Sequence, residues 1–136
     1  MVLSETRAAT ARVGQLQPLV CVVDDDTAML RALRLLIATS GFSVETYASA
    51  EQFLESPRSR TIACLVVDVH LGGTNGLDLH EGLARSGSSI PVIFITAHDD
   101  GPTRERARRS GAVEYLAKPF DEGALIDAIH RAVGRT

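Results

Sequence analysis

Ile62-Ala63-Cys64-Leu65-Val66-Val67-Asp68 is the stretch that decides the fold. Six consecutive residues are apolar or small, and the seventh is a carboxylate. Thr61, Ile62, Val66 and Val67 are β-branched. A run this short and this apolar predicts a strand buried on both faces, the kind that parallel sheets use. Its last residue, Asp68, then stands where the strand leaves the sheet, the edge at which open parallel sheets bind ligands.

Two other runs share this character. Leu19-Val20-Cys21-Val22-Val23 passes straight into Asp24-Asp25-Asp26, and Pro91 leads into Val92-Ile93-Phe94-Ile95-Thr96. Two more strands are mixed. Phe42 to Tyr47 alternates apolar and polar residues, and Val113 to Ala117 interleaves Glu114 with apolar positions. Helices are predicted between them. Met29, Leu30, Leu33, Leu36 and Ile37 keep the 3.6-residue period before Gly41, and Ser49-Ala50-Glu51-Gln52 reads as a capping box that opens a short helix ending by Pro57. Further helices are expected over about 77–85, about 102–110 with a stop at Gly111, and about 122–133 with Asp121 as cap.

Five βα units make a flavodoxin-like (βα)5 doubly wound α/β sandwich. The doubly apolar strands must be central and the mixed ones at the edges, which the order 2-1-3-4-5 satisfies. Right-handed crossovers then put the first and fifth helices on one face and the other three on the opposite face. Residues 1–17 carry no sustained period. They read as a poorly ordered lead-in with a short helix at 5–12, followed by a single domain over 18–136 and no output domain.

At 136 residues, 45% hydrophobic and 23% charged, the chain has the composition of a soluble globular protein. A net charge of −3 argues against nucleic acid as a direct ligand. No apolar run approaches the roughly 18 residues of a membrane span, and no signal peptide is evident. Cys21 and Cys64 both lie in strand runs and read as buried thiols of a reducing, cytoplasmic compartment.

The strand order brings the polar strand ends together: Asp24 and Asp25, Asp68, Thr96 and Lys118. Three carboxylates in one pocket repel, which predicts a raised pKa for one of them, and a divalent cation removes the conflict. Oxygen-only ligands favour Mg²⁺ (or Mn²⁺). The bland alternative is that these acids cap a helix and solvate a loop, and for Asp26 that alternative is preferred. Lys118 is the only lysine, the other 13 basic residues being arginine. A compact ammonium at that strand end suits a phosphoryl oxygen or a carboxylate, against the alternative of a chance surface lysine.

Together, Val22-Val23-Asp24-Asp25, Asp68 with Gly76 eight residues on, Thr96-Ala97, and Lys118-Pro119-Phe120 make the chain from about 19 to 133 resemble a response-regulator receiver domain of bacterial two-component signalling. Details resemble the branch whose receivers control nitrogen-fixation and similar transcription factors. The resemblance implies that Asp68 is the phosphoacceptor, taking its phosphoryl group from a sensor histidine kinase or histidine phosphotransfer protein. It implies that Asp24 and Asp25 hold Mg²⁺ with Asp68 and the His70 backbone carbonyl. Thr96, Ala97 and Lys118 would contact the phosphoryl group, and Tyr115 would be the aromatic switch. The readout would lie on the fourth helix, fifth strand and fifth helix, toward an unknown downstream protein, in a monomer or a phosphorylation-dependent dimer. His70 and His98, two residues after Asp68 and Thr96, are expected over the pocket mouth, where they would set the phosphoryl lifetime. Ala28, Arg31 and Phe120 are expected contacts for the kinase.

The sequence departs from the family where Leu71-Gly72 replaces the usual Met-Pro. Gly72-Gly73 is expected to loosen that loop. Two rival readings stay open. Val22-Val23-Asp24-Asp25-Asp26-Thr27 nearly matches the start of a haloacid-dehalogenase-type phosphatase, with Asp24 as nucleophile. A degenerate receiver would bind partners without being phosphorylated. Finally, Thr103 to Ser110 offers only Ala107 as an apolar side chain, so this fourth helix is expected to be frayed, displaced or mobile. Against that stands a well-formed helix whose arginine stems cover apolar surface.

Overall fold

The computed structural model describes residues 17–58 and 60–134. The expected lead-in and its helix at 5–12 lie outside these residues, apart from Gln17. Five parallel strands, β1 (Leu19–Val23), β2 (Ser43–Tyr47), β3 (Ile62–Asp68), β4 (Val92–Thr96) and β5 (Glu114–Ala117), form one sheet in the order β2-β1-β3-β4-β5. Every residue of β1, β3 and β4 is buried, whereas β2 is half-exposed and β5 mixed, so the apolar pattern sorts centre from edge as expected.

The helices are α1 (Thr27–Thr39), α2 (Ala50–Glu55), α3 (Gly76–Arg85), α4 (Gly101–Arg109) and α5 (Glu122–Val133). Leu30, Leu33 and Ile37 of α1 share one apolar cluster with Leu125, Ala128 and Ile129 of α5. Ala50 and Phe53 of α2, Leu77 and Leu79 of α3 and Ala107 of α4 share the other. The sheet separates the two clusters, which is the expected distribution of helices. Cys21 and Cys64 are free buried thiols on opposite sides of it. Burial pushes both up to about 12.

Three local expectations are corrected. Asp121 occupies the N-cap position of α5 but makes no side-chain cap bond. The Ser49 hydroxyl accepts from Gln52 N, yet Gln52 Oε1 reaches back to Ala48 N rather than to Ser49, so the capping box closes one residue early. The third correction is α4, which is well formed and seated on the sheet. Ala107 is its one buried side chain, and polar contacts supply the rest. Asp100 Oδ1 accepts from Thr103 N at 2.8 Å, with Pro102 in the first turn. Arg106 reaches across to α3, donating to Asp78 at 2.7 Å and Glu81 at 2.8 Å. Arg104 pairs with Asp99 and lies over the Tyr115 ring at 4.7 Å. Glu105 takes Arg108 and Arg109. Each exposed pair contributes little, but several together with a capped N-terminus hold a short helix that lacks an apolar stripe. Among the described residues no helix is long and apolar enough to cross a membrane.

Candidate functional site

Among the described residues the buried polar or charged side chains are Asp24, Asp68 and Thr96, and all three stand at the carboxyl end of the central strands. Burying polar groups in an otherwise apolar sheet is costly unless they are bonded, so their coincidence at one edge marks a site.

Lys118 binds the cluster together. Its Nζ donates to Asp24 Oδ2 and to Asp68 Oδ2, each at 2.8 Å, from the end of β5 across to β1 and β3. The remaining oxygens are held by backbone: Asp24 Oδ1 accepts from Asp26 N at 2.9 Å, and Asp68 Oδ1 accepts from His70 N at 2.8 Å. Lys118 N itself donates to Thr96 O at 2.7 Å, which fixes the lysine against the end of β4. Burial raises the Asp24 carboxyl above its ordinary value, and the charge of Asp68 adds to this, while Lys118 and the Asp26 amide offset part. Burial alone would lower the Lys118 ammonium, but its two carboxylate partners outweigh that and hold it above its ordinary value.

Asp25 differs from Asp24. It is exposed, and its Oδ2 accepts from Gly72 N at 3.3 Å. Carboxylate oxygens of Asp24, Asp25 and Asp68 lie within 4.8 Å of one another. Three carboxylates face one ammonium here, with no soft ligand in the set. That composition fits a hard divalent cation such as Mg²⁺ or Mn²⁺. Asp26 has the role preferred for it: its Oδ1 caps α1, accepting from Ala28 N and Met29 N.

Thr96 follows Ile95, the residue paired with Asp68 across β3 and β4. Its Oγ1 accepts from His98 N at 3.0 Å and lies 3.3 Å from His98 O. Ala97 is exposed directly after it. His70 and His98 are both exposed, and their rings meet edge to face at 5.4 Å between centroids. Tyr115 lies inward in the α2-α3-α4 core, and burial, with the nearby Asp99 carboxylate adding, pushes its phenol up to about 12. Ala28 and Arg31 are exposed on α1. Phe120 is half-buried beside Met29, Leu33, Leu36 and Pro119, where they line a cavity of about 210 Å³.

Two contributors carry little sequence signal. Gly76 packs under the end of β3, so closely that a Cβ there would lie 2.4 Å from the Asp68 carbonyl oxygen. Glu51 and Thr74 join α2 to the loop after Asp68. The first was visible only as a glycine at fixed distance, and the second not at all.

The model of the response regulator receiver domain family matches residues 20–130. The chain belongs to that family. It is 44% identical over 117 residues to nodulation protein W of Bradyrhizobium diazoefficiens, covering 86% of this chain and 52% of that protein. It is 40% identical over 112 residues to the response regulator protein TodT of Pseudomonas putida, covering 82% and 49%. Among solved structures, the response regulator StyR superposes with a TM-score of 0.80 at 44% identity, covering 88% of this chain and 60% of that one. The chain thus spans about half the length of the curated relatives it matches. As a receiver domain it is a signalling module of two-component systems, and its sheet order is that of the flavodoxin-like receiver fold.

Proposed function

We propose that Asp68 accepts a phosphoryl group from the phosphohistidine of a sensor histidine kinase or histidine phosphotransfer protein. The observation that carries this reading is the convergence of Lys118, Asp24 and the His70 amide on a buried carboxylate at the edge of a receiver-domain sheet. An Asp68 oxygen attacks phosphorus in line, the P–N bond breaks, and the imidazole leaves with the electron pair, giving an acyl phosphate. A divalent cation held by Asp24, Asp25, Asp68 and the His70 carbonyl would supply positive charge for the phosphoryl oxygens. Lys118 already sits on Asp68 and follows the charge to those oxygens, while the Thr96 hydroxyl and the Ala97 amide complete the cradle. Blocking of the modification by Asp68→Asn tests the assignment.

The phosphoryl group adds roughly two negative charges to the pocket. Thr96 gives up its bond to the His98 backbone for the new oxygens, and Tyr115 answers. The readout is a changed α4-β5-α5 face, presented to a downstream protein or to a second copy in a phosphorylation-dependent dimer. Free buried thiols and the absence, among the described residues, of any spanning helix support a cytoplasmic site of action.

The phosphatase reading loses support. Asp26, which would be its acid/base, spends its carboxylate as the cap of α1, and Asp24 is wholly buried under Lys118.

Two predictions concern residues around the site. Arg31→Glu, on the exposed face of α1, is expected to slow transfer from the kinase about tenfold through lost electrostatic steering. Phosphorylation by a small donor should be unchanged, and an equal loss in both assays would point to damage at Asp68. His70→Ala and His98→Ala are each expected to change the acyl-phosphate half-life severalfold, because paired rings two residues after Asp68 and Thr96 would orient or obstruct approaching water. Decay followed by intact mass decides it, and two wild-type half-lives would remove the histidines from that role.

A further inference from the structure

The loop that follows Asp68 carries two amides that hold carboxylates of the site: the His70 amide on Asp68 and the Gly72 amide on Asp25. Val69 and Leu71 are buried, and Asn75 caps α3, accepting from Asp78 N at 2.9 Å. Between these fixed points run Gly72, Gly73 and Thr74, with Gly73 at φ +88°. Two adjacent glycines are the most permissive backbone a chain can present, so this span is held only by what it bonds to. Two bonds leave it for other elements. Gly72 N donates to Asp25 Oδ2 at 3.3 Å, and Thr74 Oγ1 donates to Glu51 Oε2 at 2.7 Å. Both acceptors are carboxylates, and the second bond is the stronger: it is shorter, and it ends on a rigid base. Glu51 lies in the first turn of α2, which Ser49 caps and fully buried Ala50 and Phe53 pin to the core. The chain at Gly73 passes directly over the same carboxylate, 3.5 Å from where its Cβ would stand.

We propose that Glu51 and Thr74 are positioning residues for the metal and phosphoryl site. Their bond ties the Gly72-Gly73 span to α2, which keeps the Gly72 amide on Asp25 and aims that exposed carboxylate at Asp24 and Asp68. The Thr74 hydroxyl holds the Glu51 carboxyl below its ordinary value, in keeping with an ionised acceptor at neutral pH. The inference rests on the reading of the three carboxylates as a Mg²⁺ site and of Asp68 as acceptor.

The test is calorimetric titration of the full chain with MgCl₂, for wild type, Thr74→Val, Thr74→Ser and Glu51→Ala. Thr74→Val keeps the shape and removes the donor, and Thr74→Ser restores the donor. Thr74→Val and Glu51→Ala are expected to bind Mg²⁺ about tenfold more weakly, the lower end of what losing an orienting partner of a ligand costs. Thr74→Ser should stay near wild type. The double variant should lose no more than either single one, since both remove one bond. Phosphorylation by a small donor should fall at low Mg²⁺ and recover at saturating Mg²⁺, because the acceptor and Lys118 are intact. Glu51 is exposed and Thr74 half-buried in a loop, so melting temperatures should hardly move. Wild-type affinity in Thr74→Val and Glu51→Ala overturns the inference, as does Thr74→Ser failing like Thr74→Val, or a rate loss that saturating Mg²⁺ does not repair. A wild-type chain that binds no Mg²⁺ overturns the reading beneath it instead.

Discussion

Lys118→Ala is expected to slow phosphorylation of Asp68 by a small-molecule donor about 100- to 1,000-fold, the usual cost of removing one preorganised donor to developing negative charge. The geometry gives the reason. One nitrogen bridges carboxylates on two strands, 2.8 Å from each, with the lysine side chain 13% exposed. Without it, three carboxylates converge with no fixed counter-charge. A rescue by Lys118→Arg is not expected, since a planar fork needs more room than a point charge and aims its donors differently. Rates from intact-mass time courses at saturating Mg²⁺ check this. A Lys118→Ala rate within threefold of wild type would mean that the ammonium serves only to hold the resting pocket.

Gly76→Ala is expected to destabilise the domain by about 3 kcal/mol, at the upper end of overpacking costs. That lowers the melting temperature by roughly 10 °C for a chain of this size. The added Cβ would stand 2.4 Å from the Asp68 carbonyl oxygen and 3.1 Å from the Val67 Cγ2, and the first neighbour is backbone with no side-chain freedom to yield. Relief requires α3 to move away from β3, which shifts Asp68 as well, so phosphorylation should fall with stability. Gly82→Ala is the control. It lies inside α3 with only the Arg85 guanidinium near, at 3.9 Å, and there alanine should stabilise by about 0.5–1 kcal/mol. Thermal melts of the two variants separate a steric requirement from a general dislike of substitution in α3.

These two residues mark how far the sequence could be read. The strand order follows from which runs are apolar on both faces, a local property that puts β1, β3 and β4 at the centre and β2 and β5 at the edges. Asp68 at the end of β3 and a solitary lysine after β5 likewise stand out in one dimension. Asp26 as cap was legible because capping is a contact within three residues. What was hidden depends on where helices sit on the sheet. The clash at Gly76 needs the distance between the start of α3 and the end of β3. The seating of α4 needs Arg106 to find Asp78 and Glu81 on a neighbouring helix, a pairing across 25 residues or more. The stability of that helix therefore does not show in its apolar residues. Asp24 and Asp25 looked equivalent in sequence, yet one is buried under Lys118 and the other exposed on the loop, since consecutive residues at a strand end point opposite ways.

The central claim is that Asp68 is the phosphoryl acceptor of a cation-dependent receiver. Its most direct test is intact-mass analysis of the chain after exposure to a small-molecule phosphodonor, with and without Mg²⁺, beside Asp68→Asn and Asp24→Asn. The account predicts one added phosphoryl group on the wild-type chain, formed only with Mg²⁺ or Mn²⁺, lost at alkaline pH as an acyl phosphate is, and absent from Asp68→Asn. Label gained by Asp68→Asn at the wild-type rate, or lost only in Asp24→Asn, would contradict it, and a wild-type chain that takes no label while binding Mg²⁺ would make it an unphosphorylated binding module.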